Sequence, residues 1–117
     1  MTKYGNKKTI VDNIKFDSKA EAKRYTELLL LEKSGIISEL KMQTPFIIAK
    51  SCIINGRKRP PMKYLADFTY LLDGKLIIED VKGKETEGYR IKRHLMKSVL
   101  NLEISEIRNN RNNCGTV

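Results

Sequence analysis

The chain predicts an α+β domain, a mixed central β-sheet flanked by helices with a hairpin at its N-terminal side. Three observations carry this expectation. Residues 62–82 read as two β-type runs joined by Asp73-Gly74, a strong hairpin-turn pair. Residues 18–34 and 87–100 space their apolar side chains at helical intervals and carry helix start or stop signals. Short β-type runs lie before, between and after them, within a length of 117 residues that suits a single core.

Each element has a local reason. Residues 1–8 are polar and basic and read as an arm. Thr9 to Phe16 reads as a short hairpin, with Asp12-Asn13 turning between Ile10-Val11 and Ile14-Phe16. Asp17-Ser18 offers a helix N-cap, and Ser18-Lys19-Ala20-Glu21 has capping-box spacing. The helix should run to about Ser34 and stop at Gly35. Ile36–Leu40 and Pro45–Ile54 are β-type runs, Asn55-Gly56 is a tight turn, and Arg57–Pro61 reads as a basic loop. Strands are expected at Met62–Leu72 and Lys75–Val81, with Gly83 closing the second. Glu87–Leu100 is helical, with Ile91, Leu95 and Val99 as the stripe to bury. Leu102–Ile107 is a last strand, and residues 108–117 show no periodicity and are expected to be disordered. Neither a repeat nor a second domain is visible, so the folded domain is placed at 9–107.

Composition narrows the partner. Lys and Arg number 23 against 14 Asp and Glu, a net charge of +9. That excess favours a polyanion, nucleic acid before an anionic membrane, because no basic amphipathic helix with a bulky apolar face stands alone. The start MTKYGNKK lacks a signal-peptide pattern and no long apolar run follows, so a soluble protein of the cytoplasm is expected. Cys52 and Cys114 have no metal-ligand or disulfide-framework spacing, and Cys52, in an apolar run, is expected to be buried.

The most informative residues are Asp67, Asp80 and Lys82. Side chains at i and i+2 of a strand point to one face, roughly 7 Å apart, so Asp80 and Lys82 project together. The hairpin partner can bring Asp67 beside them. Glu79 falls on the other face with Ile77 and Val81, and is expected to be a surface or interface charge. Two carboxylates and an ammonium on one face suit a divalent metal and a phosphodiester. A salt bridge to one of the many lysines is the competing explanation for either acid alone. Glu21 also has two readings. It completes the Ser18 capping box, and it stands in line with Tyr25, Leu28 and Leu29 at the edge of the stripe the helix must bury.

Glu on an early helix, an acid in a strand, then acid-x-Lys in the next strand resembles the PD-(D/E)XK nuclease superfamily. The segments FDSKAEAKRY, YLADFTY and IIEDVKG are similar to small phage-encoded members of it, and to Holliday-junction resolvases, over roughly residues 4–107. Ala66 stands where the superfamily name has proline. The resemblance implies a restriction-endonuclease-like fold and a Mg²⁺-dependent endodeoxyribonuclease, with Mn²⁺ able to substitute. It implies that Asp67, Asp80 and the Val81 carbonyl hold the metal, that Glu21 completes the site or helps hold a second ion, and that Lys82 orients the attacking water and stabilises the charge that develops on the phosphate. A phage origin in a bacterial host cell, and a role in DNA recombination or replication, rest on it alone.

Basic residues around the motif are candidates for phosphate contact. Lys84, Arg90, Lys92, Arg93 and Lys97 follow it, and Arg90, Arg93 and Lys97 share a helix face opposite Ile91, Leu95 and Val99. Arg57, Lys58, Arg59 and Lys63 precede the Asp67 strand as a possible grip on the DNA backbone. Few aromatics interleave with these basics, and His94, the only histidine, suggests no catalysis. The competing readings are a nuclease for RNA or single strands, a non-catalytic nucleic-acid-binding module, and an accessory factor bound to a ribosome or protein. Concerted double-strand cutting would need two sites and hence a homodimer, for which Glu79, Ile77 and Leu28–Leu31 offer surface.

Overall fold

In the computed structural model, which describes residues 9–108, the chain is α+β as expected. Strands β1 (Thr9–Val11) and β2 (Ile14–Phe16) form the N-terminal hairpin. Helix α1 (Lys19–Lys33) follows. Then come β3 (Ser38–Ala49), β4 (Cys52–Ile54), β5 (Arg57–Arg59), β6 (Met62–Leu72), β7 (Lys75–Lys82), helix α2 (Glu87–Leu100) and β8 (Ser105–Arg108). The main sheet has the order β3-β6-β7-β8, antiparallel except for the parallel pair β7-β8, which α2 connects. β1-β2 and β4-β5 are separate two-stranded ribbons.

Local signals set the element ends. Asp12-Asn13, Asn55-Gly56 and Asp73-Gly74 all take positive φ at both positions, the backbone that a tight hairpin requires. Ser18 caps α1, its Oγ accepting from Glu21 N–H at 3.1 Å, and Gly35 at φ +82 lets the chain leave the helix. Thr86 caps α2 in the same way through Tyr89 N–H, and Asn101 closes it in the left-handed region.

Two apolar clusters hold the layers together. One sets Phe16, Tyr25, Leu28, Ile37, Phe68 and Tyr70 beneath α1 and the first hairpin. The other sets Ile48, Tyr64, Ala66, Ile78, Tyr89 and Met96 beneath α2. Alternate residues of β6 thus serve different clusters on either side of Asp67. At that point the β3-β6 ladder lacks a Gln43–Asp67 rung, and Gln43 takes φ +52. An irregularity of this kind re-aims side chains, and here it lies beside the acids of interest.

Several expectations need correction. Arg57–Arg59 is a strand paired with Cys52–Ile54, not a loop, because Asn55-Gly56 folds one segment back on the other. Cys52 is exposed, since that ribbon projects without packing on the sheet. Ile91 and Val99 are half exposed, while α2 buries Tyr89 and Met96 with Leu95 packing at the edge. The larger Tyr and Met side chains reach the core, and the aliphatic stripe is rotated away from it. Glu79 and Leu28 are fully buried, which removes them from any interface. Arg108 ends β8, so the domain extends past 107, whereas the expected arm at 1–8 and the rest of the tail lie outside the described residues.

Candidate active site

The acids meet where β6 and β7 part. The last rung between these strands is Phe68 with Glu79, and the next residues along each strand toward the opened end are Asp67 and Asp80. In place of a further backbone rung, Asp67 Oδ2 accepts the Val81 N–H at 2.8 Å. Lys82 Nζ lies 2.8 Å from Asp80 Oδ2. It also sits 3.7 Å over the ring of Tyr89, a cation-π contact. The i, i+2 spacing therefore brings Asp80 and Lys82 together as expected, and the hairpin partner delivers Asp67.

Asp80 is buried and Asp67 half-buried, which makes the two acids costly. Asp80 is 5% exposed, and its Oδ2 lacks any hydrogen-bond donor of acceptable geometry despite the close Lys82 ammonium. The Asp67 carboxyl is pushed up to about 7, first by burial, then by the charges of Asp80 and Glu21, against the opposing Val81 N–H bond. The Glu21 carboxyl is also raised, by burial and then by Asp17 and Asp80. Glu21 thus serves the α1 cap through its backbone while its side chain shares the field of the acid pair. Among the described residues, no three His, Cys, Asp or Glu side chains gather as a metal cluster. Asp67 and Asp80 are the two acids at the parted ends of β6 and β7.

A cleft of about 650 Å³ opens beside the pair, lined by Lys63, Tyr64, Asp80, Lys82, Tyr89 and Lys92 among others. Lys63 and Lys92 come from β6 and α2, so the fold converges cations from two elements on the acids. The Tyr64 hydroxyl is buried there near Asp80 without a hydrogen bond of good geometry, and burial followed by the Asp80 charge raises its pKa. Tyr89 donates to Glu106 Oε2 at 2.6 Å, and Arg93 and Arg108 bind the same carboxylate. Against its burial, these donors hold the Glu106 carboxyl down at about 2. Sequence reading missed Tyr64, Tyr89 and Glu106. Their signal was weak, two tyrosines in apolar runs and one acid in a short strand.

The remaining basic candidates divide. Arg93 pairs with both Glu85 and Glu106 at 2.7 Å, so it braces α2 against β8 rather than presenting a free cation. Lys97 pairs with Glu103 at 2.9 Å, and Arg90 stands 3.9 Å from Glu85. Lys84, Lys92, Lys63, Arg57, Lys58 and Arg59 have no ion pair among the described residues. Glu79, expected at the surface, is bound by the Arg24 guanidinium at 2.8 and 2.6 Å and by the Tyr70 hydroxyl. It faces α1, away from the acid pair, as strand alternation requires.

The family model described as "Protein of unknown function (DUF1064)" matches residues 1–110. The chain belongs to the DUF1064 family. Its match takes in the whole acid–lysine site and the sheet that carries it. No curated protein and no solved structure gives a match. No helix described for this DUF1064 member is long and apolar enough to cross a membrane.

One consequence concerns stability. Between pH 4 and 7 the unfolded chain ionises Asp67 while the folded chain keeps its proton, so stability falls as pH rises across that window. Asp67→Asn removes this penalty and retains an oxygen for the Val81 N–H. Its melting temperature in EDTA should match wild type near pH 4 and exceed it increasingly toward pH 8. Equal midpoints at pH 8 would show that Asp67 ionises there without strain.

Proposed function

We propose that this protein is a metal-dependent endonuclease of the PD-(D/E)XK type, hydrolysing phosphodiester bonds in DNA. The observation that carries the reading is the buried Asp80 carboxylate, with the Lys82 ammonium 2.8 Å away and the half-buried Asp67 on the neighbouring strand, in a cleft lined by further lysines. A purely structural salt bridge does not need a second, half-buried carboxylate beside it, because each carboxylate withdrawn from water carries a desolvation penalty. The donor set suits a hard divalent cation: carboxylate oxygens of Asp67 and Asp80, with Asp80 Oδ2 buried and making no hydrogen bond.

Asp67 and Asp80 would hold Mg²⁺ or Mn²⁺ with the Val81 carbonyl, and waters would complete the shell. When bound, such an ion supplies Lewis-acid polarisation and a water of lowered pKa. The protein's own groups account for the rest. Lys82 places its positive charge at the mouth of the acid pair, where it can bind a phosphate oxygen and offset charge that builds as the phosphorus is attacked. Tyr89 holds that ammonium from one side, and the Glu106 bond fixes the ring. Lys63 and Lys92 draw the phosphate backbone into the cleft. Glu21 adds negative potential from α1 that would favour a cation at the acid pair.

The test is cleavage of labelled duplex, single-strand, flap and four-way-junction DNA, and of RNA, in Mg²⁺, Mn²⁺ or EDTA. Asp80→Ala, purified identically, serves as control. Cutting that requires metal and is lost in Asp80→Ala supports the reading and names the substrate. Salt-sensitive binding with no cutting on any substrate would leave a nucleic-acid-binding module instead.

A further inference from the structure

The β4-β5 ribbon takes no part in the core. Every residue from 51 to 60 is exposed, including Ile53 at 73% and Ile54 at 48%. Two features keep it a separate arm. Pro60 and Pro61 lack the N–H groups that would continue the β3-β6 ladder, and Asn55-Gly56 closes the tip as a tight two-residue turn. Paired residues share a face, so Cys52, Ile54, Arg57 and Arg59 point one way, and Ile53 and Lys58 the other. Cations and aliphatics thus cover both faces. No acid occurs between Glu39 and Asp67, and the arm's cations have no ion pair among the described residues.

We propose that β4-β5 is a DNA-binding arm, a two-stranded ribbon that lies in the major groove of duplex DNA flanking the cleft. The B-form major groove is about 12 Å wide and admits such a ribbon. Its walls are phosphates for Arg57, Lys58 and Arg59, and its floor carries thymine methyls for the exposed isoleucines. The root of the arm is Lys63, which already lines the cleft with Asp80 and Lys82. Arg57 precedes Asp67 by ten residues, which sets this cation at most about 33 Å from the acids at ~3.3 Å per residue. That reach is about one turn of B-DNA, ~34 Å. The substrate therefore has a double-stranded flank on one side of the cut. An A-form RNA duplex closes its major groove to this ribbon, and residues 51–61 contain no aromatic on which single-stranded bases would stack. The placement relative to the cut rests on the nuclease reading, but the arm's grip on duplex DNA does not.

The experiment measures affinity in an Asp80→Asn background, which keeps the DNA intact. The duplex flank on one side is lengthened stepwise from a few base pairs to about two turns, ~20 base pairs. Affinity should rise until the flank reaches about one turn and then level off. The triple variant Arg57→Ala, Lys58→Ala, Arg59→Ala should lose that rise, bind at least about tenfold more weakly, and show a log–log salt slope smaller by roughly 2–3. Its melting temperature should stay near that of its parent, because these side chains are fully exposed. RNA duplexes of equal length should show no flank-dependent gain. An unchanged length dependence and salt slope in the triple variant would overturn the proposal. So would a change in its sedimentation with DNA affinity intact, which would make the arm a protein-binding element. Cleavage is scored separately, so an inert acid pair sinks the nuclease reading alone, and a missing flank effect sinks the arm alone.

Discussion

Lys82→Ala is expected to slow single-turnover DNA cleavage in Mg²⁺ by about 10²–10³-fold or more, the usual effect of removing one preorganised charge from a reacting centre. Its ammonium is the cation nearest the acid pair, 2.8 Å from Asp80 Oδ2, and it is held over the Tyr89 ring. DNA affinity should change only a few-fold, because Lys82 is one of 23 cationic residues. Lys82→Arg should not restore the rate, since a planar guanidinium is longer and offers a fork where the site holds a compact point charge. Measuring rate and affinity on the same duplex separates the two effects. A rate unchanged in Lys82→Ala would remove this residue from the chemistry, and a parallel loss of binding would recast it as a phosphate grip.

Arg24→Ala should destabilise the protein by about 3–5 kcal/mol, the typical result of stripping the partner from a buried charge. Glu79 is 1% exposed, and the Arg24 guanidinium meets both of its oxygens while the Tyr70 hydroxyl donates to one. That loss is a large share of the roughly 5–15 kcal/mol that holds a small domain together. It should lower the melting temperature by roughly 15 °C or more for a domain of this size. Replacing Arg24 by Met, Glu79 by Leu and Tyr70 by Phe together should recover most of it, because no buried polar group is then left without a partner. Thermal and urea denaturation of the single and combined variants test both statements. A combined variant no more stable than Arg24→Ala would mean that the charges also steer α1 onto the sheet.

The lysine and the arginine also mark where sequence reading succeeded and where it stopped. Asp80 with Lys82 was legible, because strand alternation is local and needs only the two residues between turn signals. Asp67 followed once Asp73-Gly74 was read as the hairpin turn. Glu79 was misplaced. Alternation assigned it the face opposite Asp80, but a charge on that face looks like a surface residue until a guanidinium from α1, 55 positions away, is seen to neutralise it. The ion pairs of Arg93 were hidden for a similar reason, since its partners Glu85 and Glu106 lie on the segments before and after α2.

The sequence by itself determined the turns, the helix limits, the strand alternation and the basic excess. Each depends on backbone preferences or composition within a few residues. Only the tertiary structure decided which charges are spent on one another and which remain free. It set Arg24 on Glu79, Arg93 on Glu106 and Tyr89 under Lys82, and it left the Arg57–Arg59 side chains exposed, with no ion pair among the described residues. It also decided that β6 and β7 part at Asp67 and Asp80 and that Gln43 makes no rung with Asp67, since both depend on how distant strands pair. Coulomb attraction and burial act through space, so neighbours brought together by the sheet and the helices settle them, and no local pattern records those neighbours.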